Sequence, residues 1–402
     1  MTGERFDTGS HGFHRRPPAG WLRLGGGALC LMVALPALVP APTTLLWMLA
    51  IGVTEWGYLS APIPLLFFLP GWRATWGGRA GALFGLAASL LLLLSPVRAW
   101  PVAQRLPDRL AAAFGESPPR STVGAPPRPM PLVPADLIGG IASPAVQRRN
   151  RIYSKVKGQA LTLDLYSPRM AEGPAPGVIV IHGGGWRSSD RKELPKLNQY
   201  LAARGYLVAS IDYRLAPRAR FPAALEDVKA AVAYLKTHAA EFGLDPTRLV
   251  LLGRSAGGEL ALLAAYTADD PDIRGVVAFY APADLHHSYT HPANRWVIDS
   301  RAILEGYLGG PPDRFSAAYD AASPIRFAGP KIPPTLLIHG ARDEVVSPAQ
   351  SERLETRLAE AGAPQLLLRL PWATHGCDAH FNGPCGQITT YAIERFLAAT
   401  MR

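Results

Sequence analysis

The sequence predicts two parts: a helical membrane region, followed by an α/β domain with a mostly parallel sheet. Three observations lead to this prediction. Long apolar segments crowd residues 21–100, a stretch rich in Pro, Ala, Gly and Ser covers residues 101–145, and short apolar runs alternate with helical patterns over residues 146–402. Such alternation is typical of parallel strands whose crossover helices cover both faces of one sheet.

The overall charge does not indicate a nucleic-acid-binding protein. The chain has 402 residues and a net charge of +10, of which +7 falls within the first 150 residues. The remaining charge is too evenly mixed for a nucleic-acid surface, and no nucleic-acid-binding motif is present. Three cysteines are too few for a disulfide scaffold or a zinc ribbon, and Cys30 falls inside an apolar segment.

Three apolar segments in the first hundred residues predict a multi-pass anchor in the cell (inner) membrane. They cover about residues 22–39, 44–69 and 81–97, and each is close to the roughly 20 residues that cross a bilayer. A signal peptide would account for only one of them. Most of the tryptophans lie near segment ends, as in an interfacial belt.

Arginine placement predicts the orientation of this anchor. The arginines before the first segment and between the second and third are Arg15, Arg16, Arg23, Arg73 and Arg79. The positive-inside rule then places residues 1–20 in the cytoplasm and, after three spans, the α/β domain in the periplasm or outside the cell. Arg98, Arg105 and Arg109 favour the opposite orientation, and a middle segment that spans twice or re-enters would make the α/β domain cytoplasmic.

Two further features of the N-terminal part lead to expectations. Glu55 is the single acid among the apolar segments, and its neighbours Trp56 and Tyr58 are interfacial types. We therefore expect the middle helix to be interrupted there, with Glu55 at an interface rather than in a buried polar site. Residues 107–144 are too rich in proline to fold and are expected to form an extended tether.

Apolar runs and helical spacing predict the elements of the α/β domain. The first two strands should form an antiparallel pair and the others a parallel sheet. Strands are predicted at about 152–156, 161–166, 177–181, 206–211, 248–252, 273–280, 334–338 and 365–370, and helices at about 194–204, 223–238, 260–266, 349–361 and 388–398.

The stretch Gly253-Arg254-Ser255-Ala256-Gly257-Gly258 joins a predicted strand to a predicted helix. A serine at such a sharp turn has its hydroxyl exposed at the top of the sheet, and glycines are needed where the two elements approach each other. The strand–turn–helix context therefore predicts a nucleophile at Ser255.

A second glycine-rich stretch, His182-Gly183-Gly184-Gly185-Trp186, directly follows another predicted strand. Successive backbone N–H groups in such a loop can stabilise an oxyanion. We expect Gly184 and Gly185 to donate together with the amide of Ala256, while His182 braces the loop.

Acyl transfer also needs a base and an acid. In chain order the acid should follow a late strand and the base the last strand, which selects Asp343 and His375. The competing candidates are Glu344, Asp284 and His380.

Together with Asp212-Tyr213-Arg214-Leu215-Ala216-Pro217 and Thr374-His375-Gly376, these motifs make residues 150–400 resemble the hormone-sensitive-lipase-like bacterial esterases of the α/β-hydrolase superfamily. The resemblance implies an α/β-hydrolase fold and a serine carboxylesterase for short acyl or aryl esters, with no cofactor and no metal. Arg254 stands where that branch usually has Asp, and membrane segments replace its N-terminal cap helices.

A short lid is expected at about residues 281–331. Together with Trp186 and Arg254, we expect His286 and Tyr289 to line the substrate pocket. The lid histidines lack the carboxylate or Cys spacing of a metal site. Cys377 and Cys385 flank the loop that follows His375, and an external location favours a disulfide between them.

The predicted function is hydrolysis of small-molecule carboxylic esters by a domain anchored in the lipid bilayer. The same triad would also serve an amidase or formamidase, a peptidase or an acyltransferase. A non-catalytic binding protein with this fold is the alternative from another class, although such proteins lose a triad member.

Overall fold

The computed structural model describes residues 19–116, 126–168 and 173–402. Residues 1–18 of the expected cytoplasmic N-terminus and 117–125 of the expected linker lie outside this part. The strands are β1 Gln147–Val156, β2 Gln159–Ser167, β3 Ala175–Ile181, β4 Leu207–Ile211, β5 Leu244–Arg254, β6 Ile273–Phe279, β7 Thr335–Gly340 and β8 Gln365–Leu370.

The eight strands form one sheet in the order β1-β2-β4-β3-β5-β6-β7-β8. β2 is antiparallel to both β1 and β4, and all other neighbours are parallel. The predicted α/β class, with a mostly parallel sheet and an antiparallel first pair, is therefore confirmed.

Helices cover both faces of this sheet. They are α6 Pro195–Ala202, α7 Ala223–Thr237, α8 Ala239–Phe242, α9 Ala256–Thr267, α10 Leu285–Thr290, α11 Ser300–Leu308, α12 Pro312–Ala321, α13 Ala349–Glu360 and α14 Pro384–Thr400. In β5, Leu249 and Leu251 join one apolar core and Val250 and Leu252 the other. The strand is buried on both faces because its side chains alternate between them, which explains its continuous apolar run.

The N-terminal region contains the helices α1 Ala19–Ala34, α2 Thr44–Ser60, α3 Trp76–Leu92 and α4 Leu94–Phe114, and the short helix α5 Pro134–Gly139 follows. α1 and α3 pack so closely that a Cβ at Gly27 would overlap the carbonyl oxygen of Gly81. Two helical stretches, Ala19–Ala37 and Trp76–Phe114, are long and apolar enough to cross a membrane by length and composition alone.

The expected interruption at Glu55 is wrong. α2 continues through this residue to Ser60, and a 3₁₀ helix follows at Ile63–Phe68. Glu55 is fully buried and accepts hydrogen bonds from Trp372 Nε1 and the Cys385 N–H, each at 3.2 Å. Both donors belong to the α/β domain, more than 300 residues further along the chain. Glu55 is therefore buried between α2 and the α/β domain.

The structure also differs from the expected tether. α4 extends to Phe114 with Pro101 and Pro107 inside it, and Leu106 and Leu110 are buried in the core that contains α14 and β8. The buried positions of α4 follow the three- and four-residue spacing of an amphipathic helix. The proline content of the segment obscured that spacing.

Candidate active site

The turn between β5 and α9 holds Ser255 in a strained conformation. Its φ and ψ are 52° and −120°, and its N–H donates to the Phe279 carbonyl oxygen at 2.9 Å. Positive φ is uncommon for a residue with a side chain and persists only where the surroundings enforce it. At Ser255 the surroundings enforce it, because strand, turn and loop approach one another too closely for side chains at the neighbouring glycines. A Cβ at Gly253 would overlap the backbone of Gly257, and a Cβ at Gly257 would overlap the backbone of His182.

Three side chains from distant parts of the sequence meet beside this turn. His375, in the loop after β8, has Nε2 3.1 Å from Ser255 Oγ, and its Nδ1 lies 2.7 Å from Asp343 Oδ2, in the loop after β7. Since the carboxylate can only accept, Nδ1–H donates to Asp343, which leaves Nε2 to accept the serine hydroxyl.

The carboxylate of Asp343 is fixed from several sides. Its Oδ1 accepts the N–H groups of Val345 and Val346 at 2.9 and 2.8 Å, and His339 Nε2 lies 3.3 Å from Oδ2. Burial alone would raise the pKa of Asp343, but the charge of His375 and hydrogen bonds from His339 and His375 outweigh it and hold the pKa below its usual range. Asp343 is therefore ionised at neutral pH.

The three competing candidates are engaged elsewhere. Glu344 accepts the Ala41 N–H at 2.6 Å. Asp284 caps α10 through the N–H of His287 and pairs with Arg353 at 2.8 Å. His380 stacks on Trp56, with ring centroids 4.4 Å apart. Neither carboxylate has a bond to His375, and His380 has none to Ser255.

The glycine loop after β3 faces the same space. Gly184 and Gly185 adopt φ values of 96° and 59°, a region that favours glycine. Within the described residues, the N–H groups of Gly184, Gly185 and Ala256 have no hydrogen-bond acceptor, and all three residues line the cavity at Ser255. His182 stacks on Tyr213 and contacts the Gly183 carbonyl through Nδ1, so it holds the loop.

Trp186 stacks on Tyr307 and donates from Nε1 to Glu259 Oε2 at 2.9 Å. Glu259 is completely buried in the first turn of α9, and this burial raises its pKa well above the usual range. The sequence analysis missed Glu259. The available signal was an acid directly after Gly257-Gly258 in an otherwise apolar helix.

Arg254 borders the cavity, but its guanidinium is committed to a buried ion pair. Its Nε donates to Asp378 Oδ2 at 2.5 Å, and Tyr280 donates its hydroxyl to the other oxygen at 2.6 Å. Asp378, which the sequence analysis also missed, neighbours Cys377, and Cys377 forms a disulfide with Cys385. Ion pair and disulfide therefore tie down the loop that carries His375.

The lid contributes different residues from those expected. His286 lies 3.3 Å from Asp320, and Tyr289 donates its hydroxyl to Glu305. Neither lines the cavity, whereas Ser288 of α10 and His291, directly after this helix, do so. The sequence could not show which face of this short helix points inward. In the described part of the chain, no group of three or more His, Cys, Asp or Glu side chains is placed to hold a metal.

The cavity above Ser255 has a volume of about 440 Å³. Part of its wall comes from outside the α/β domain. Trp47 and Ile51 of α2 line it, and the Trp47 ring centroid lies 6.3 Å from that of His375. The sequence analysis assigned this helix to the membrane alone.

Comparison with known proteins identifies a family model and relatives that match the α/β domain. Residues 163–358 match the BD-FAE family model. The chain is 33% identical to esterase LipC of Mycobacterium tuberculosis over 268 residues, covering 63% of this chain and 65% of LipC. It is 30% identical to esterase LipQ of the same organism over 237 residues, covering 55% of each. The chain therefore spans between half and two thirds of the length of these relatives.

A solved structure shows the same fold. The esterase of Pyrobaculum calidifontis superimposes with a TM-score of 0.56 at 26% identity, covering 64% of this chain and 86% of the esterase. Sheet order, serine turn and sequence matches point to one group of proteins. The α/β domain of this chain is similar to these esterases in sequence, and its fold is that of the α/β-hydrolases.

Proposed function

We propose that this protein is a membrane-anchored serine carboxylesterase. The observation that carries the proposal is the continuous chain of hydrogen bonds from Ser255 Oγ to His375 Nε2 and from His375 Nδ1 to Asp343, at 3.1 and 2.7 Å. These distances fit a nucleophile, a general base and the acid that orients it. The esterase names of the relatives support the same reaction class.

In the proposed mechanism, Ser255 Oγ attacks the ester carbonyl while His375 Nε2 takes its proton. The developing oxyanion accepts hydrogen bonds from the N–H groups of Gly184, Gly185 and Ala256. His375 then protonates the departing alcohol, which leaves an acyl group on Ser255. Water, deprotonated by His375, releases the acid. Asp343 stays ionised throughout and stabilises the imidazolium, in keeping with its lowered pKa.

The Ser255→Ala variant tests this assignment. We expect kcat for p-nitrophenyl acetate to fall by about 10⁶-fold, since the nucleophile is lost, and labelling by a fluorophosphonate probe to disappear. Circular dichroism should be unchanged, because His375 is the only hydrogen-bond partner of the Ser255 hydroxyl among the described residues. Ser316→Ala, on the exposed face of α12, is the matched control. Retained turnover in Ser255→Ala would refute the assignment.

The proposal also assigns α1 and α3 to the bilayer. At one end of this pair, Arg23 donates to the Leu69 and Pro70 carbonyls, and Trp21 packs edge-on against Trp76 at 5.5 Å. At the other end, Arg342 of the α/β domain donates to the Pro36 and Ala37 carbonyls. The side chains exposed between the ends are large and apolar: Leu22, Leu29, Met32, Leu83, Leu86 and Leu90. A soluble surface rarely carries so large an apolar patch.

The same contacts support the proposed orientation. Arg23, Arg73 and Arg79 lie at the end remote from the α/β domain, where a cytoplasmic interface would hold them. After α2 the chain starts near the α/β domain, where the Ser89 hydroxyl donates to the Ala61 carbonyl oxygen. It then returns to the end remote from the α/β domain, where α3 begins. Residues 19–37, 61–75 and 76–92 thus run three times between the two ends, and this odd number supports the proposal that the α/β domain lies in the periplasm or outside the cell.

Labelling of spheroplasts tests this orientation. A membrane-impermeant fluorophosphonate should label Ser255 equally before and after lysis, because the proposed orientation puts the cavity outside the cytoplasmic membrane. Labelling only after lysis would contradict the orientation and leave the ester chemistry unaffected.

A further inference from the structure

α2 lies along the α/β domain for its whole length. Its contacts recur at three- and four-residue spacing. Thr44 donates its hydroxyl to the Val297 carbonyl at 2.7 Å, Trp47 and Ile51 line the cavity, Glu55 accepts from Trp372, and the Tyr58 hydroxyl lies 3.1 Å from His380 Nε2. This stripe makes the helix a wall of the α/β domain.

The described residues leave the neighbouring stripe of the same helix largely exposed. Leu45, Met48 and Leu59 are 75%, 58% and 48% exposed, and Trp56, which stacks on His380, is 38% exposed. These residues continue the apolar surface of α1 and α3, at the end of that pair nearest the α/β domain. With α1 and α3 in the bilayer, as proposed, this stripe of α2 lies at the outer boundary of the bilayer. An amphipathic helix at such a boundary inserts its apolar face into the acyl region.

The cavity and the apolar surface are therefore separated by a single helix. Ile51 Cδ1 lies 3.7 Å from the position that a Cβ of Gly376 would occupy, directly beside His375. On the lid side, Ile298, Ile303 and Leu304 add apolar side chains to the cavity. An apolar chain that reached Ser255 along α2 would exchange lipid contacts for protein contacts without entering water. Entering water would cost free energy for every methylene group that became exposed.

We propose that the substrate is an amphiphilic ester resident in the outer leaflet of the same bilayer, whose long apolar chain packs against Trp47 and Ile51 while its ester group reaches Ser255. This inference rests on the proposed esterase function and names its substrate class. The reaction stays a hydrolysis: the bond between the acyl carbon and the alcohol oxygen breaks, His375 protonates that oxygen, and water supplies the hydroxyl of the acid. A short ester would enter the same cavity but has no long chain to pack along this wall.

The full chain in vesicles of dialkyl-ether phosphatidylcholine tests the route, because such vesicles contain no other ester. The probes are 4-methylumbelliferyl oleate and 4-methylumbelliferyl acetate, which share one leaving group. We expect oleate in the enzyme's own vesicles to be hydrolysed about tenfold faster than oleate supplied in separate vesicles. Equal rates would overturn the proposal. Failure to hydrolyse even the acetate would instead refute the esterase function.

Substitutions on the two stripes of α2 test the wall itself. Ile51→Trp places a bulky ring in the cavity and should lower kcat/KM for the oleate about tenfold more than kcat/KM for the acetate. Leu59→Trp adds the same ring to the same helix away from the cavity, and it should leave the ratio of the two values unchanged. An equal effect of Ile51→Trp on both esters would overturn the assignment of α2 to the chain-binding wall.

Discussion

Two helices of similar composition, α9 and α1, contrast in what they bury. In α9, every residue from Ala256 to Ala265 is buried against the sheet. In α1, only Gly20, Gly27 and Ala34 are buried, while Leu22, Leu29 and Met32 face outward. In water, large apolar side chains drive packing, whereas small residues make the close contacts between helices in a bilayer. The contrast is the one expected if α1 lies in a bilayer, as proposed above.

Among the tests of this contrast, the largest expected effect concerns the carboxylate that orients His375. Asp343→Asn should lower kcat for p-nitrophenyl acetate by about 10⁴-fold, because an amide no longer fixes the His375 tautomer that accepts the serine proton. Asp284→Asn is the matched control, since Asp284 was the alternative acid and instead pairs with Arg353. A large loss in Asp284→Asn together with a small loss in Asp343→Asn would reverse the assignment.

A pair of leucine truncations tests the packing contrast directly. Leu262→Ala, in the fully buried α9, should lower the free energy of unfolding by about 2–5 kcal/mol, because it leaves a cavity. Leu29→Ala, on the outward face of α1, should change it by about 0.5 kcal/mol or less. Thermal unfolding of the full chain in lipid nanodiscs measures both. Similar shifts for the two variants would mean that α1 is packed in the same way as α9.

Two glycines of α1 give the smallest expected effect. Gly27→Val should weaken the contact with α3 by about 1–3 kcal/mol, because the added Cβ overlaps the Gly81 carbonyl. Gly25→Val is the control, since nothing lies within 4 Å of its Cβ position. Limited proteolysis in detergent should cut residues 19–116 faster in Gly27→Val only. Equal cleavage of both variants would show that the glycine contact contributes nothing.

The sequence was sufficient to predict which side chains meet at the edge of the sheet, because their positions depend on the order of the strands along the chain. Ser255, Asp343 and His375 each follow a strand of a parallel sheet, and the carboxyl ends of such strands share one edge. Their meeting was therefore predictable without knowing any side-chain contact. The same holds for the glycine loop after β3, whose position depends only on the strand before it.

The sequence was insufficient where one apolar pattern fits two environments. The apolar pattern of α2 is compatible with a bilayer and with a protein surface. Which of the two surrounds the helix depends on contacts with residues far away in sequence, such as Trp372 and His380. A signal was present in retrospect, since Trp47, Glu55 and Tyr58 lie on one side of the helix. The sequence also could not predict which face of α10 points into the cavity, because six residues are too few to show a helical pattern of apolar positions.

The burial of Glu55 has a consequence for how such proteins can evolve. Its carboxylate satisfies the Trp372 indole and the Cys385 amide, both deep inside the other part of the chain. A gene fusion that replaced the first sixty codons with an unrelated anchor would leave two donors without an acceptor and remove a wall of the cavity. We therefore expect an exchange of the proposed anchor to succeed only with a segment that brings its own acid to that position.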